Sequence, residues 1–188
     1  MLLKKRAFFS QLVANRREPA LVPGPNTIIV ESGDTLPTNL VAGKTYWIKA
    51  STRTGNWRVD NGVRLVSIDG PGQARLQPSD NNTATITGRG ETDVIIDGLS
   101  LRAATNRAAI EFTEAGTGGS NFCNDIQIIN CSIDTAASGC NDGIKIAQTS
   151  GLVITNCKLD GRFNEEAIDC VTIEDFLIAF NTIDGNSL

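Results

Sequence analysis

The stretch Ile126-Gln-Ile-Ile-Asn-Cys-Ser-Ile133 decides the fold, because three other stretches of this 188-residue chain align with it without gaps. They are Val94-Ile-Ile-Asp-Gly-Leu-Ser-Leu101, Leu152-Val-Ile-Thr-Asn-Cys-Lys-Leu159 and Phe176-Leu-Ile-Ala-Phe-Asn-Thr-Ile183. The four starts are separated by 32, 26 and 24 residues. A repeat of roughly 20 to 50 residues with several short strands in each unit is typical of a solenoid. The alignment therefore predicts a stack of similar coils, each of which buries its apolar face against its neighbours.

Apolar and polar residues alternate within each repeat, which is the periodicity of a β-strand. A second, shorter strand is predicted before each repeat, over residues 84–87, 109–112, 143–146 and 167–170. If each repeat forms one coil, equivalent residues stack about 4.8 Å apart, as they do in paired strands. The predicted inward columns are Ile86/Ile110/Ile144/Ile168, Val94/Ile126/Leu152/Phe176, Ile96/Ile128/Ile154/Ile178, Leu99/Cys131/Cys157/Asn181 and Leu101/Ile133/Leu159/Ile183.

Short polar or glycine-containing segments separate the strands and predict bends at Asp97-Gly98, Asn130 and Asn156. A loop over residues 114–124, which contains the glycine-rich segment 116–120, explains the longer first interval. A leucine-rich repeat is the alternative, since its unit is also roughly 20–29 residues long. It is the weaker interpretation, because the chain lacks a regular Leu-x-x-Leu-x-Leu frame and a helical stretch between its strands.

The motifs Asn-Cys-Ser-Ile at 130–133, Asn-Cys-Lys-Leu at 156–159 and Asn-Thr-Ile at 181–183 resemble the right-handed parallel β-helix superfamily, which includes pectate lyases, polygalacturonases and bacteriophage tailspikes. The opening segments 28–36 and 43–48 are similar to the first coils of that superfamily. The resemblance covers roughly residues 26–188 and implies an all-β, right-handed parallel β-helix. It implies no particular activity, because none of the family's catalytic strings is present and function is grafted onto folds of this kind.

Charge is unevenly distributed along the chain. The whole chain carries 17 Lys and Arg against 21 Asp and Glu, a net charge of −4. Residues 1–18 carry five basic side chains and one acidic one, a net of +4, so residues 19–188 have a net charge of −8. This acidic solenoid makes nucleic acid an unsuitable partner, because nucleic-acid affinity depends on neutralising phosphates. No apolar run approaches the roughly 18–20 residues that span a bilayer, so no membrane span is expected.

We expect no metal site and no cofactor, because the chain has no histidine and no Cys-x-x-Cys pair. Its five cysteines are an odd number, and no secretion signal precedes the solenoid. Both observations favour free thiols and folding in a reducing compartment.

The first 18 residues predict a basic helical arm with one apolar side. A proline-punctuated linker at 19–26 joins the arm to the solenoid, which is expected over residues 27–188. Three interpretations are open: a cap on the first coil, a docking or trimer-forming peptide, and a helix on a membrane surface. For docking, the contact residues are Lys4, Lys5, Arg6, Phe8, Phe9, Leu12, Arg16 and Arg17.

Outward residues of the first strand form the row Thr87, Glu111, Lys145 and Asp169. The simplest interpretation is a ladder of alternating charges, in which each exposed pair contributes at most about 1 kcal/mol. The alternative is a carbohydrate site, because glycoside hydrolysis requires two carboxylates and neighbouring coils supply them. The candidate catalytic residues are Asp142, Glu165, Glu166 and Asp169.

The outward positions of the second strand are unusually apolar, and contiguous exposed apolar residues mark interfaces. The resemblance to tailspikes implies three β-helices packed about a threefold axis, so this face is a candidate homotrimer interface. The alternative is that a loop or the arm of the same chain covers it. The candidate interface residues are Ile95, Gln127, Ile129, Val153 and Leu177.

The arrangement of arm, linker and solenoid favours a virion structural protein, a tailspike or tail-fibre adhesin. Such a protein folds in the host cytoplasm, docks to tail or capsid proteins through its arm and presents a face to host surface polysaccharide. The alternative is a polysaccharide lyase, hydrolase or epimerase that acts on acidic glycans. Residues 183–188 follow a core strand without an evident cap, so we expect the solenoid to continue or to be capped beyond Leu188.

Overall fold

The computed structural model describes residues 23–114 and 122–185. The predicted arm at 1–18 and the first part of the predicted linker lie outside these residues. The described chain is all-β and contains no helix, so no helix in it could cross a membrane. Its strands are β1 (Thr27–Val30), β2 (Thr45–Ile48), β3 (Ser51–Thr54), β4 (Trp57–Arg58), β5 (Arg64–Ser67), β6 (Ala74–Gln77), β7 (Ile86–Arg89), β8 (Thr92–Asp97), β9 (Ser100–Arg102), β10 (Ile110–Thr113), β11 (Cys123–Ile129), β12 (Ser132–Asp134), β13 (Ile144–Ser150), β14 (Val153–Thr155), β15 (Lys158–Gly161), β16 (Ile168–Glu174), β17 (Leu177–Ala179) and β18 (Thr182–Gly185).

The strands form three parallel stacks in two sheets. The six-stranded sheet has the order β3-β6-β9-β12-β15-β18. The twelve-stranded sheet combines the stack β1-β2-β5-β8-β11-β14-β17 with the stack β4-β7-β10-β13-β16, and β11 joins them by pairing with β13. Each repeat contributes one strand to each stack, so the chain passes through the three stacks in turn. This arrangement is compatible with a parallel β-helix.

The strand register confirms the predicted columns that begin at Ile86, Ile96 and Leu101. Ile110 pairs with both Ile86 and Ile144. In the second stack, Ile128 lies between Ile96 and Ile154, and all three side chains are completely buried. A column of this kind excludes water along its length and makes the hydrophobic effect the main source of stability. The first strand of each repeat begins one or two residues later than predicted, at Ile86, Ile110, Ile144 and Ile168.

The last described coil departs from the prediction of burial. Phe176 and Ile183 are each 53% exposed and Ile178 is 37% exposed, although Ile178 and Ile183 pair in the expected register. The physical reason is that β17 and β18 have a paired strand on only one side within the part of the chain that the structure describes. Asn181, predicted for a buried column, is only half-buried.

The stacks continue upstream of the four predicted repeats. Leu65 pairs with Tyr46 and with Ile96, which extends the central column by two strands. In the smaller sheet, the residue in register with Leu76 is Arg53, which is 7% exposed. Its guanidinium donates to the carbonyl oxygens of residues 30, 31, 34 and 49 at 2.5–3.3 Å. Arg53 therefore ends this apolar column with hydrogen bonds instead of a further aliphatic side chain.

The predicted bends correspond to left-handed backbone. Gly98, Asn130 and Asn156 have φ values of 70°, 54° and 54°, a region in which glycine and asparagine are the favoured residues. The equivalent residue of the last coil is Phe180, with φ 58°. The predicted loop over 114–124 is wrong at its end, because Asn124 already pairs with Thr92 in the ladder between β8 and β11. Its glycine-rich part, 116–120, lies outside the described residues.

Candidate functional site

The row Thr87, Glu111, Lys145 and Asp169 lies in direct register across β7, β10, β13 and β16. The residues that precede the first three of them, Ile86, Ile110 and Ile144, are buried, and Ile168 before Asp169 is half-buried. Because side chains alternate between the two faces of a strand, the row lies on the outer face of this stack. The four residues of the predicted charge ladder therefore lie in one row across the strands of this stack.

Three of the four predicted catalytic residues meet at the downstream end of this row. Asp142 lies just before β13, and Glu166 and Asp169 come from the next coil. One carboxylate oxygen of each lies within 4.8 Å of the others. The burial of the three side chains is graded: Asp142 is buried, Asp169 is half-buried and Glu166 is exposed.

Lys145 lies at the centre of this acidic group. Its Nζ donates to Asp169 Oδ2 at 2.6 Å and to Asp142 Oδ2 at 3.3 Å. The hydrogen bond to Asp169 is the largest reason that the pKa of Lys145 is raised, and the charge of Asp142 adds to it. The lysine therefore stays charged and takes the position between two carboxylates that a metal cation would otherwise occupy. The Asp142-x-x-Lys145 spacing is the sequence signal for this contact.

Glu165 is not part of the acidic group. Its side chain is exposed, and its backbone N–H donates to the carbonyl oxygen of Asn141 at 3.0 Å. Next to Asp142, the Cys140 thiol is buried and lies 3.1 Å from the Asp142 carbonyl oxygen. Burial, with the charge of Asp142, raises the pKa of Cys140 to about 12. Cys140 is therefore a neutral structural thiol and not a nucleophile.

The candidate interface residues form two neighbouring rows. Ile95, Gln127, Val153 and Leu177 are in one register row, and Ile129 belongs to the next. Four of the five are half-buried within the single chain, whereas Val153 is only 5% exposed. The half-buried side chains of Ile95, Ile129 and Leu177 leave apolar area that a second chain could cover, whereas Val153 is already covered within its own chain.

All five cysteines are free thiols. Cys131 and Cys157 lie in consecutive coils and are both buried, as the predicted column requires. The hydrogen bond between these two thiols, together with burial, raises the pKa of Cys131, so it also behaves as a small apolar group.

Comparison with known proteins gives little more. No protein-family model matches the chain, and no curated protein matches it. One similar solved structure is that of a candidate glycosyl hydrolase from Parabacteroides merdae ATCC 43184, with 11% sequence identity and a TM-score of 0.47. The likeness covers 72% of this chain and 80% of that one. At this TM-score, the likeness transfers neither fold nor activity to this chain.

Proposed function

We propose that this chain is a right-handed parallel β-helix that serves as the glycan-binding shaft of a virion appendage of the tailspike or tail-fibre kind. The observation that carries the proposal is the register of the outer row from Thr87 to Asp169, which repeats hydrogen-bonding side chains on consecutive coils. A glycan is an extended chain of hydroxyl groups, and a row with a spacing of about 4.8 Å offers it successive donors and acceptors. Glu166 and Asp169 are the most accessible carboxylates of the acidic group in this row.

We further propose that the shaft is a homotrimer, in which the row Ile95, Gln127, Val153 and Leu177, together with Ile129, lies at or beside the contact between chains. Its support is the half-buried apolar area of Ile95, Ile129 and Leu177. Closed threefold symmetry satisfies such a surface without open-ended aggregation. The basic arm at 1–18 then docks to a tail or capsid protein, which is consistent with its net charge of +4 against −8 for the rest of the chain.

The test combines oligomeric mass with glycan binding. Light scattering of the purified full chain should give three times the mass of one chain. Host surface polysaccharide should bind, and Glu166→Gln should weaken the binding, since Glu166 is the exposed member of the acidic group. The matched control is Glu174→Gln, because Glu174 is also an exposed acid but lies at the far end of β16. A monomer that binds no glycan would rule the proposal out.

A second candidate function is polysaccharide cleavage or epimerisation at the acidic group. The observation that favours it is the approach of three carboxylates within 4.8 Å. Retaining glycosidases use two carboxyl groups about 5–5.5 Å apart, whereas inverting ones need about 6.5–9.5 Å. Hydrolysis here would therefore proceed with retention. Release of reducing ends from an acidic polysaccharide, abolished by Asp169→Asn and unaffected by Glu165→Gln, would establish this activity.

A further inference from the structure

A cleft of about 380 Å³ opens beside β4 and is lined by Asn39, Leu40, Arg58, Val59 and Asp60. Arg58 is in register with Thr87 of β7, so it continues the outer row upstream. Three strand spacings separate Arg58 from Lys145, a distance of about 14 Å. The cleft and the acidic group therefore lie on the same face, several coils apart.

The Arg58 guanidinium is the cationic group of this cleft. Its side chain is 63% exposed, and its nearest ion-pair partner is Glu91, with 4.0 Å between Arg58 Nη2 and Glu91 Oε1. That distance is too long for the charge-assisted hydrogen bond of about 2.7–2.9 Å that a guanidinium forms with a carboxylate. Arg58 thus has N–H donors available for an anion that enters the cleft.

Glu91 is poorly placed to pair closely with Arg58. The Glu91 side chain is 6% exposed, and its Oε2 has no hydrogen-bond partner among the described residues. This oxygen lies in the space beside Gly88 and the Phe112 ring, since a Cβ atom added at Gly88 would lie 2.9 Å from it and would overlap that ring. Burying a carboxylate with an unpaired oxygen disfavours its charged form, and burial raises the pKa of Glu91 above its ordinary value.

We propose that this cleft binds the carboxylate of an acidic saccharide, with Arg58 as the anion-recognising residue. The bound carboxylate accepts hydrogen bonds from the N–H groups of Arg58, and the Asn39 side-chain amide supplies a further donor at the rim of the cleft. The Asp60 carboxylate also lines the cleft and accepts hydrogen bonds from sugar hydroxyl groups. The inference rests on the proposed glycan-binding function and specifies the class of sugar unit that the upstream end of the shaft takes.

The charge of Glu91 makes the binding depend on pH. The charged or titratable groups near Glu91 are Arg58, Asp60 and Cys123. Burial is the largest cause of the raised pKa of Glu91 and outweighs the opposing effect of Arg58. When the pH rises through that pKa, Glu91 ionises and offsets the charge of Arg58, so the affinity for an anionic ligand falls.

Titration calorimetry with the full chain tests the proposal. The probes are a uronic-acid hexasaccharide, a neutral hexasaccharide of equal length and free acetate, which separates saccharide binding from simple anion binding. Arg58→Gln should lower the affinity for the acidic hexasaccharide at least tenfold. Arg64→Gln should leave it unchanged, because Arg64 is also exposed but pairs with Asp93 outside the cleft. Glu91→Gln should tighten binding severalfold at neutral pH and remove its pH dependence.

The outcomes separate this inference from the proposed function. If the neutral hexasaccharide binds as tightly as the acidic one, or Arg58→Gln binds like the wild type, the inference is overturned while glycan binding stands. If acetate competes fully at millimolar concentration, the site is a simple anion site and the saccharide assignment is wrong. If no saccharide binds, the proposed function fails as well. Circular dichroism of each variant shows whether the fold is retained.

Discussion

The side-chain oxygen of Asn181 accepts the backbone N–H of Cys157 at 2.9 Å, so an amide links the last described coil to the one before it. The Asn181 Nδ2 donates to the carbonyl oxygen of Ile154, also at 2.9 Å. At the equivalent position, three earlier coils carry the apolar side chains of Leu99, Cys131 and Cys157. In the last described coil, this position therefore carries an amide that hydrogen-bonds to two backbone groups, where the earlier coils carry a side chain that adds to the apolar core.

Asn181→Ala should lower the free energy of unfolding by about 1–3 kcal/mol, because it leaves a buried donor and a buried acceptor without their partner. Urea denaturation measures this change. Thr182→Ala is the control, since Thr182 is the exposed next residue, and its effect should be within about 0.5 kcal/mol. Equal effects of the two substitutions would show that the Asn181 hydrogen bonds do not contribute.

Ile154→Ala should destabilise the fold by about 2–5 kcal/mol, because it opens a cavity in a completely buried column. Ile178→Ala removes the same atoms from the next position of that column, where the side chain is 37% exposed. Its cost should be clearly smaller, about 1 kcal/mol. Denaturant midpoints of the two variants give the comparison, and a larger cost at Ile178 would contradict the observed burial.

Phe180→Asn should stabilise the protein by about 1 kcal/mol. Phe180 has φ 58° and is 82% exposed, so it has an unfavourable backbone conformation and little packing in return. Asparagine adopts this conformation more easily and already does so at Asn130 and Asn156. A rise in the melting temperature is expected. The reciprocal change, Asn156→Phe, should lower it, and the opposite pair of signs would refute the argument.

Lys145→Met should cost about 2–4 kcal/mol at neutral pH, since the buried carboxylate of Asp142 then loses its cationic partner. Lys158→Met removes a comparable contact to Asp160 at 2.9 Å, but both of those side chains are well exposed. The loss there should be much smaller, because water screens an exposed ion pair. Chemical denaturation of both variants at pH 7 checks the difference.

Glu91→Gln should stabilise the protein increasingly as the pH rises. Burial raises the folded-state pKa of Glu91 above its unfolded value, so the native state binds this proton more tightly. The resulting stability is fully present below the unfolded pKa of about 4.3 and is lost as the pH rises through the folded pKa. Glutamine does not titrate. Thermal melting of both proteins from pH 4 to pH 8 should show a gap that widens with pH, and a constant gap would disprove the linkage.

The repeat could be predicted because the residue pattern that causes it recurs along the sequence. Ile96, Ile128 and Ile154 recur at a fixed position between polar neighbours, and parallel strands stack identical positions on one another. Gly98 and Asn130 marked the bends, because few residues adopt a left-handed backbone easily. The individual strands between residues 51 and 77 could not be predicted, because strands of two to four residues with an arginine in the apolar column carry too weak a pattern.

The site was only partly predictable. Asp142, Glu166 and Asp169 could be grouped, since a repeat of 24 residues brings consecutive coils together. The exclusion of Glu165 depends on the local backbone, and the double contact of Lys145 depends on the side-chain conformation. The sequence gives no indication that Glu91 is buried, because its burial depends on the space beside Gly88 and on the Phe112 ring of the next strand in the stack.

The left-handed bends have a consequence for how such a chain can change its length. Gly98, Asn130 and Asn156 turn the backbone at the same point of successive coils, while the number of residues between them varies. Register is thus set at the bend and not by the length of the intervening segment. A segment that runs from just after one bend to just after the next makes up one complete coil. Its deletion or duplication joins strands whose inward columns match. The solenoid can therefore gain or lose one coil at a time without disturbing the register of the remaining coils.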